Sequence, residues 1–396
     1  MNISNLPSLD KDMLKQSNML AEQLRKHIVE AGGWLPFSSF MESVLYMPRL
    51  GYYSGGARKF SNRIDDGSDF VTAPELSPLF AQTLARPIAK ALTVSKTRSI
   101  MEFGAGTGQL ALGLLSRLSE LHIELDEYII FDLSGELRER QRNTIDTVLC
   151  DLTARVRWLD ELPKHFEGVI LGNEVLDSMP VRLFSKIVGG WQERGVVLRN
   201  DTFTFNDLPV AFDDLPVILT SLDVADGYVT ETHQAAFAFI QTICTMLTRG
   251  VIFLIDYGFP AYEYYHPQRN MGTLMCHYRH HLHDDPFAYL GLQDITSHVE
   301  FTGIYKAGVS VGADLLGYTS QAHFLLNSGI IDILTDIDPL DYRRFLPAAN
   351  AVQKLISESE MGELLKVISF TRGIDLSEAD MIDGFEQGDR SFTLLR

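Results

Sequence analysis

Ser99–Leu115, SIMEFGAGTGQLALGLL, is the stretch whose reading decides the fold. Ser99 to Phe103 reads as a short buried strand, Gly104 to Gly108 as a tight turn, and Gln109 to Leu115 as the start of an apolar helix. Glycines at positions 104, 106 and 108, with Ala105 between them, let backbone N–H groups approach a ligand with no Cβ in the way. The helix N-terminus behind the turn favours negative charge. Glu102 stands just before the turn. A carboxylate there would repel a pyrophosphate but suits a cationic ligand. S-adenosylmethionine carries a sulfonium and an α-amino group, so it fits E-x-G-x-G-x-G better than a dinucleotide does. By itself the motif is weak, because an ordinary strand–helix turn has the same pattern.

A second acid strengthens the reading. Glu127–Asp132, EYIIFD, is the next apolar strand and runs into Asp132, followed by Leu133. That is one helix and one strand downstream, where a doubly wound sheet places the acid for the ribose hydroxyls.

The chain has 396 residues, 45% hydrophobic and 22% charged, as expected of a globular protein of two domains or one large domain with insertions. Its net charge of −18 disfavours nucleic acid, whose phosphates need a basic footprint. The three cysteines, Cys150, Cys244 and Cys276, are far apart and odd in number, which fits a reducing compartment. The first residues, MNISNLPSLDKDMLKQ, show neither an apolar signal core nor an Arg-rich presequence. No apolar run is long enough for a bilayer. A bacterial cytoplasmic location without stable membrane insertion is the expectation.

Working outward, residues 1–97 read as a helical N-terminal cap with a lid loop. Residues 98–258 read as a Rossmann-like core with a β-meander inserted at about 181–230. Residues 259–345 read as an insertion covering the active site, and 346–396 as a return to the core. Helices are expected over Met13–Ala31, Leu79–Leu92 and Leu133–Arg142. Strands are expected at Ser99–Phe103, Glu127–Asp132, Val156–Leu159, Gly168–Gly172 and Gly250–Asp256, then at Leu365–Phe370 and Ser391–Leu395. Alternating strands and helices imply a parallel sheet. Asn173, Glu174 and Asp177 follow the fourth strand, and Asp256-Tyr257 end the fifth. Ligands of open α/β sheets sit at that edge, so these are functional candidates. The run Cys276–Asp285, CHYRHHLHDD, invites a metal reading, but its spacing matches no standard zinc set, and no metal is expected.

GYYSGG, SDFVTAPELSPLF, MEFGAGTGQLALGLL, YIIFDLSGELRERQ, GNEVLDSMPVRLF, IDYGFPAYEYY, GTLMCHYRHHLHDDPF, GLQDITSHVEFTGI and TSQAHFLLNSGI occur in that order from about Gly51 to Ile330. In them the chain resembles the MidA-like family of class I S-adenosylmethionine-dependent methyltransferases, which includes the mitochondrial complex I assembly factor 7 proteins. Ser68 stands where that family usually has Gly, and Asp132 where Glu is common.

The resemblance implies methyl transfer to an arginine of a protein substrate, a respiratory-complex subunit in the mitochondrial case, with S-adenosylhomocysteine as product. Glu102 and Gly104–Gly108 would hold the methionine part, and Asp132 the ribose. Thr72, Pro74 and Glu75 would close over the cofactor, with Asp69 on the substrate side. Asn173, Glu174, Asp177 and Glu231 are the catalytic candidates, since a protonated guanidinium needs carboxylates to pin it and help take up its proton. Asp256, Tyr257, His280, Asp294 and Gln321 are the substrate-channel candidates. A small-molecule methyltransferase, or an assembly factor that binds the cofactor and holds a client, are the alternatives. A homodimer is left open.

Overall fold

The computed structural model describes residues 6–55, 72–132, 134–148 and 155–396. Of the expected site residues, Asp69 and Leu133 lie outside the described residues. The chain divides into two compact units. One takes the described residues of 1–70 with Leu176–Phe237 and Phe259–Glu300; the other takes the rest.

The second unit carries the nucleoside-binding pattern. Its strands are β1 (Ser99–Phe103), β2 (Glu127–Phe131), β3 (Val156–Leu159), β4 (Phe166–Asn173), β5 (Leu247–Phe259), β6 (Asp314–Ser320) and β7 (Leu365–Arg372). They lie in the order β6-β7-β5-β4-β1-β2-β3. The pairs β1–β2, β1–β4, β2–β3 and β4–β5 are parallel, while β7 runs antiparallel to both β5 and β6. This is the doubly wound Rossmann-like sheet expected from the alternation. Strand order reverses between β1 and β4, and the crevice at that switch point is where such sheets take ligands.

The helices that serve the switch point are α1 (Pro78–Ser95), α2 (Gln109–Glu120) and α3 (Gly135–Val148). Ser77 caps α1 by accepting from Leu79 N, and Pro78 suits the first turn, where its missing N–H is not needed. Leu110, Ala111, Leu114, Leu115 and Leu118 of α2 recur at helical spacing and are all buried. They join Phe80, Leu84, Ile100, Ile130, Val169 and Phe253 in one apolar core. Residues 100–103 are buried on both faces, as parallel strands covered by helices must be.

Two expectations are corrected. Residues 259–345 read as an insertion with no strand of the main sheet, yet they hold β6. A register shift between Leu315 and Gly317 breaks the two-residue alternation that marks a strand in sequence. Ser391–Leu395 forms a 3₁₀ turn rather than a final strand. Asp389 Oδ1 accepts from Tyr318 N, and Arg390 N donates to Tyr318 O, so the chain meets β6 through a side chain and a bend instead of a ladder.

In the first unit, Asp10 caps the helix Lys11–Glu30, whose Leu20, Ala21, Leu24 and Ile28 face inward. They pack with Phe37, Phe40, Val44, Leu183 and Val196. The expected meander is present as Arg182–Ile187, Gly190–Arg199 and Thr202–Pro209, with Leu35–Pro36 and Val229–Thr232 in the same sheet. Asn200 and Asp201, with φ of 49° and 63°, make one hairpin turn. The histidine-rich run forms a second hairpin, Met275–Tyr278 with His281–His283, turned by Arg279 and His280 at φ of 45° and 63°. No described helix is long and apolar enough to cross a membrane.

Candidate active site

The glycine turn leaves β1 at the switch point. Gly104, Gly106 and Gly108 have φ of 65°, 53° and 87°, in the left-handed region that side chains disfavour. They differ in surroundings. A Cβ on Gly108 would lie 3.2 Å from Gln141 Cα, whereas one on Gly106 would meet no atom of the described residues within 4 Å. Among the described residues no side chain caps α2, whose N-cap is Gly108. N–H groups at a helix start suit an anionic ligand group.

Glu102 lies beneath this turn and is 2% exposed. Tyr128 Oη donates to its Oε2 at 2.6 Å. Burial, with Asp132 adding repulsion, pushes the Glu102 carboxyl up to about 7 against the pull of the Tyr128 hydrogen bond. Asp132, just past the end of β2, is also buried. Its Oδ1 accepts from Ser134 N at 2.9 Å and its Oδ2 from Gln141 Nε2 at 2.8 Å. Pro74 and Glu75 lie on the short helix Ala73–Leu76, after Thr72 at its N-cap. Thr107 Oγ1 donates to Glu75, which ties that helix to the glycine turn. Burial raises the Glu75 carboxyl above its ordinary range, against Thr107 and Arg140, which lower it.

On the far side of the switch point, β4 ends at Asn173. Glu174 follows with φ of 52°, a non-glycine residue in the left-handed region. Glu174 N donates to Ile255 O at 2.8 Å. Asp256 closes the same joint: its Oδ2 accepts from Val175 N at 3.0 Å and its Oδ1 from Tyr257 N at 2.9 Å. Parallel pairing of β5 with β4 stops at Ile255–Asn173, while Asp256 and Tyr257 still pair with Lys366 and Leu365 of β7. Asn173 Nδ2 donates to Glu174 Oε1 at 3.1 Å, while the buried Asn173 Oδ1 has no partner among the described residues. Gln321 follows β6. Ser320 and Asp256 both pair with Lys366, which places Gln321 at the same sheet edge. Its amide is buried and donates to Leu355 O at 3.0 Å.

The structure thus brings Glu102, Gly104–Gly108, Asp132, Asn173, Glu174, Asp256, Tyr257, Gln321 and the Thr72–Glu75 helix into one unit. Asp177, Glu231, His280 and Asp294 belong to the other. There, Glu231 is fully buried and accepts from Tyr264 Oη at 2.7 Å, Thr273 N at 2.8 Å and Leu274 N at 2.9 Å. Burial raises its carboxyl even against those three donors. Asp294 accepts from Tyr53 Oη at 2.8 Å, and Tyr53 stacks on Tyr46 at 5.4 Å. Asp177, by its charge, also raises the Tyr53 hydroxyl, after burial and Asp294. His280 is an exposed turn residue.

Three contributors were not singled out from sequence: Tyr128, Gln141 and Trp158. Tyr128 was within reach. With β1 and β2 parallel and Glu102 beside Ile130, Tyr128 falls on the Glu102 face.

Residues 83–319 match a family model described as "Putative S-adenosyl-L-methionine-dependent methyltransferase". A "likely methyl transferase" from Burkholderia thailandensis, crystallised with S-adenosyl-homocysteine, is 64% identical, with TM-score 0.95, over 98% of this chain and 100% of that one. The zebrafish mitochondrial protein arginine methyltransferase NDUFAF7 is 25% identical over 92% of this chain and 91% of its own length. Its mouse counterpart is 27% identical over 80% and 76%.

Proposed function

Because this chain belongs to the S-adenosyl-L-methionine-dependent methyltransferase family matched over residues 83–319, we propose that it methylates an arginine side chain of a protein substrate. The observation that carries this reading is Glu174. A carboxylate stands on a left-handed backbone position at the open carboxyl edge, steadied by the Asn173 amide. The names of the zebrafish and mouse relatives point the same way.

The residues present fit the cofactor. Among the described residues, no atom lies within 4 Å of a Cβ built on Gly106, no side chain caps α2, and the buried Asn173 Oδ1 has no donor. S-adenosylmethionine supplies a methyl group made electrophilic by its sulfonium. Gly104–Gly108 and the first turn of α2 would take the methionine carboxylate. Glu102 would supply negative charge beneath the ammonium, and Asp132 would take the ribose. Thr107 and Glu75 would hold the Thr72–Glu75 helix over that side.

A guanidinium is protonated, and its lone pair is delocalised, so it is a poor nucleophile. Glu174 would accept its N–H groups, fix its plane and take up the proton released on transfer. Asp256, whose carboxylate already accepts from two backbone N–H groups, would hold the Glu174 turn rather than touch substrate. In the other unit, the buried Asp294 accepts from Tyr53 and Ile295 N and would brace that segment rather than meet substrate. Glu231 would brace the Thr273–Leu274 segment. A net charge of −18 favours basic substrates at low salt.

The test is incubation with labelled cofactor and a lysate from a strain lacking the protein, followed by hydrolysis of labelled protein. Labelled methylarginine is expected. Label confined to small molecules would point to a small-molecule substrate. No label, with S-adenosylhomocysteine still bound, would point to a client-holding role.

A further inference from the structure

We propose that Gln141 is a positioning residue that sets the ribose selectivity of the cofactor site by fixing the Asp132 carboxylate against the glycine turn. The proposal rests on the assignment of Asp132 to the ribose. Gln141 lies on α3 and is fully buried. Its Nε2 donates to Asp132 Oδ2 at 2.8 Å and to Gly106 O at 3.1 Å. Its Oε1 accepts from Trp158 Nε1 at 2.8 Å. One amide therefore joins the end of β2, the turn after β1 and the strand β3.

The chemistry leaves this amide one orientation. An amide has an acceptor end and a donor end of nearly equal shape, and it can turn over unless its partners forbid it. The Trp158 indole only donates, and the Asp132 carboxylate and Gly106 carbonyl only accept. Turned over, Gln141 would set its oxygen against two acceptors and its NH₂ against a donor. In the low-dielectric interior each mismatch is costly. Asp132 and Gly106 thus select the NH₂ end, and Trp158 anchors the oxygen end against β3. With Ser134 N on Oδ1, the plane of the Asp132 carboxylate is fixed from two directions. Backbone packing closes the arrangement, since Gly108 leaves only 3.2 Å between a would-be Cβ and Gln141 Cα.

A carboxylate held in one plane discriminates a ligand diol by geometry, while one that rotates accepts it loosely. Gln141 touches no ligand in this account; it acts through Asp132 and Gly106. Replacing it should lower the advantage that hydroxyls at 2′ and 3′ give, beyond any general loss of affinity.

Titration calorimetry with S-adenosylhomocysteine and its 2′,3′-dideoxy analogue reads that advantage as a ratio of affinities. In Gln141→Met the ratio is expected to fall by roughly tenfold or more relative to wild type. Gln141→Glu, which sets a carboxylate against Asp132, is expected to fall further above neutral pH. Trp158→Phe keeps Gln141 and both Nε2 bonds but leaves its Oε1 without the indole donor, which loosens the amide, and a smaller fall is expected. It carries the test alone if the Gln141 variants do not fold. A wild-type ratio in folded variants overturns the proposal, because a merely structural role would lower both affinities together. Asp132→Asn is the control: if it also keeps the wild-type ratio, the ribose assignment itself has failed.

Discussion

Tyr128 Oη and Glu102 Oε2 are 2.6 Å apart, and both residues are buried below the glycine turn. The hydrogen bond favours the Glu102 carboxylate, but burial outweighs it and holds the carboxyl at about 7. A carboxyl raised above its unfolded value stabilises the fold fully at pH below that value. The contribution is lost as pH climbs to the folded value. Between pH 4.5 and 7 the loss amounts to roughly 3 kcal/mol at 1.36 kcal/mol per unit. Glu102→Gln is neutral throughout and can still accept from Tyr128. Urea unfolding of the ligand-free protein should therefore show the variant gaining on wild type from pH 5 to pH 8. A pH-independent difference would remove Glu102 as a buried titrating acid.

The same carboxyl should make cofactor binding release protons. If a bound ammonium lies over Glu102, its ionised form is favoured and its proton leaves near pH 7. Calorimetry in buffers of different ionisation enthalpy should show release for wild type with S-adenosylhomocysteine, and much less for Glu102→Gln. Equal buffer dependence in the two proteins contradicts this electrostatic role.

Gly106 and Gly108 should respond differently to alanine. Both would strain a left-handed backbone, at about 1 kcal/mol each. At Gly106 the Cβ meets no atom of the described residues within 4 Å, so the main effect should be lost S-adenosylhomocysteine affinity in a protein with nearly native stability. At Gly108 the Cβ also presses on Gln141 Cα, so stability should fall further. Thermal melts and calorimetry together separate these outcomes, and equal affinity in Gly106→Ala would place the ligand elsewhere.

Glu174 holds a backbone conformation that glycine adopts without strain. Glu174→Gly should raise stability by up to about 1 kcal/mol and abolish transfer. Glu174→Gln should also abolish transfer while sparing cofactor binding. Asp256→Ala, which leaves the Val175 and Tyr257 N–H groups without the carboxylate, should cost about 2 kcal/mol and lower kcat with little change in cofactor affinity. Transfer at wild-type rate by Glu174→Gln would remove that residue from the reaction.

Glu231 offers a contrast within the other unit. Glu231→Ala leaves Thr273 N and Leu274 N without their acceptor and should destabilise by roughly 3 kcal/mol in urea melts. Near-native stability together with complete loss of transfer would instead make Glu231 a group that acts on substrate.

Much of this protein is written locally. Ser99–Leu115 encodes strand, turn and helix within a single run, and Glu127–Asp132 repeats the pattern with an acid at its end. Apolar runs five residues long and helical spacing at Leu110, Leu114 and Leu118 are short-range signals, so the parallel Rossmann-like sheet and its switch point are legible from sequence alone. Asp132 and Asn173-Glu174 could be named because a strand's carboxyl end is itself a local property. What sequence hides depends on partners far along the chain. The bulge at Leu315–Gly317 masks β6, and only its pairing with β7 shows that it belongs to the sheet. The same holds for the site's inner supports: Gln141 meets Asp132, Gly106 and Trp158 through α3 and two strands, and Asp256 clasps Val175, 81 residues away. Which acids are half-buried at the edge, as Glu174 is, and which are enclosed, as Glu231 is, follows from burial. Burial is set by the packing of distant segments, so it took the tertiary structure to decide it.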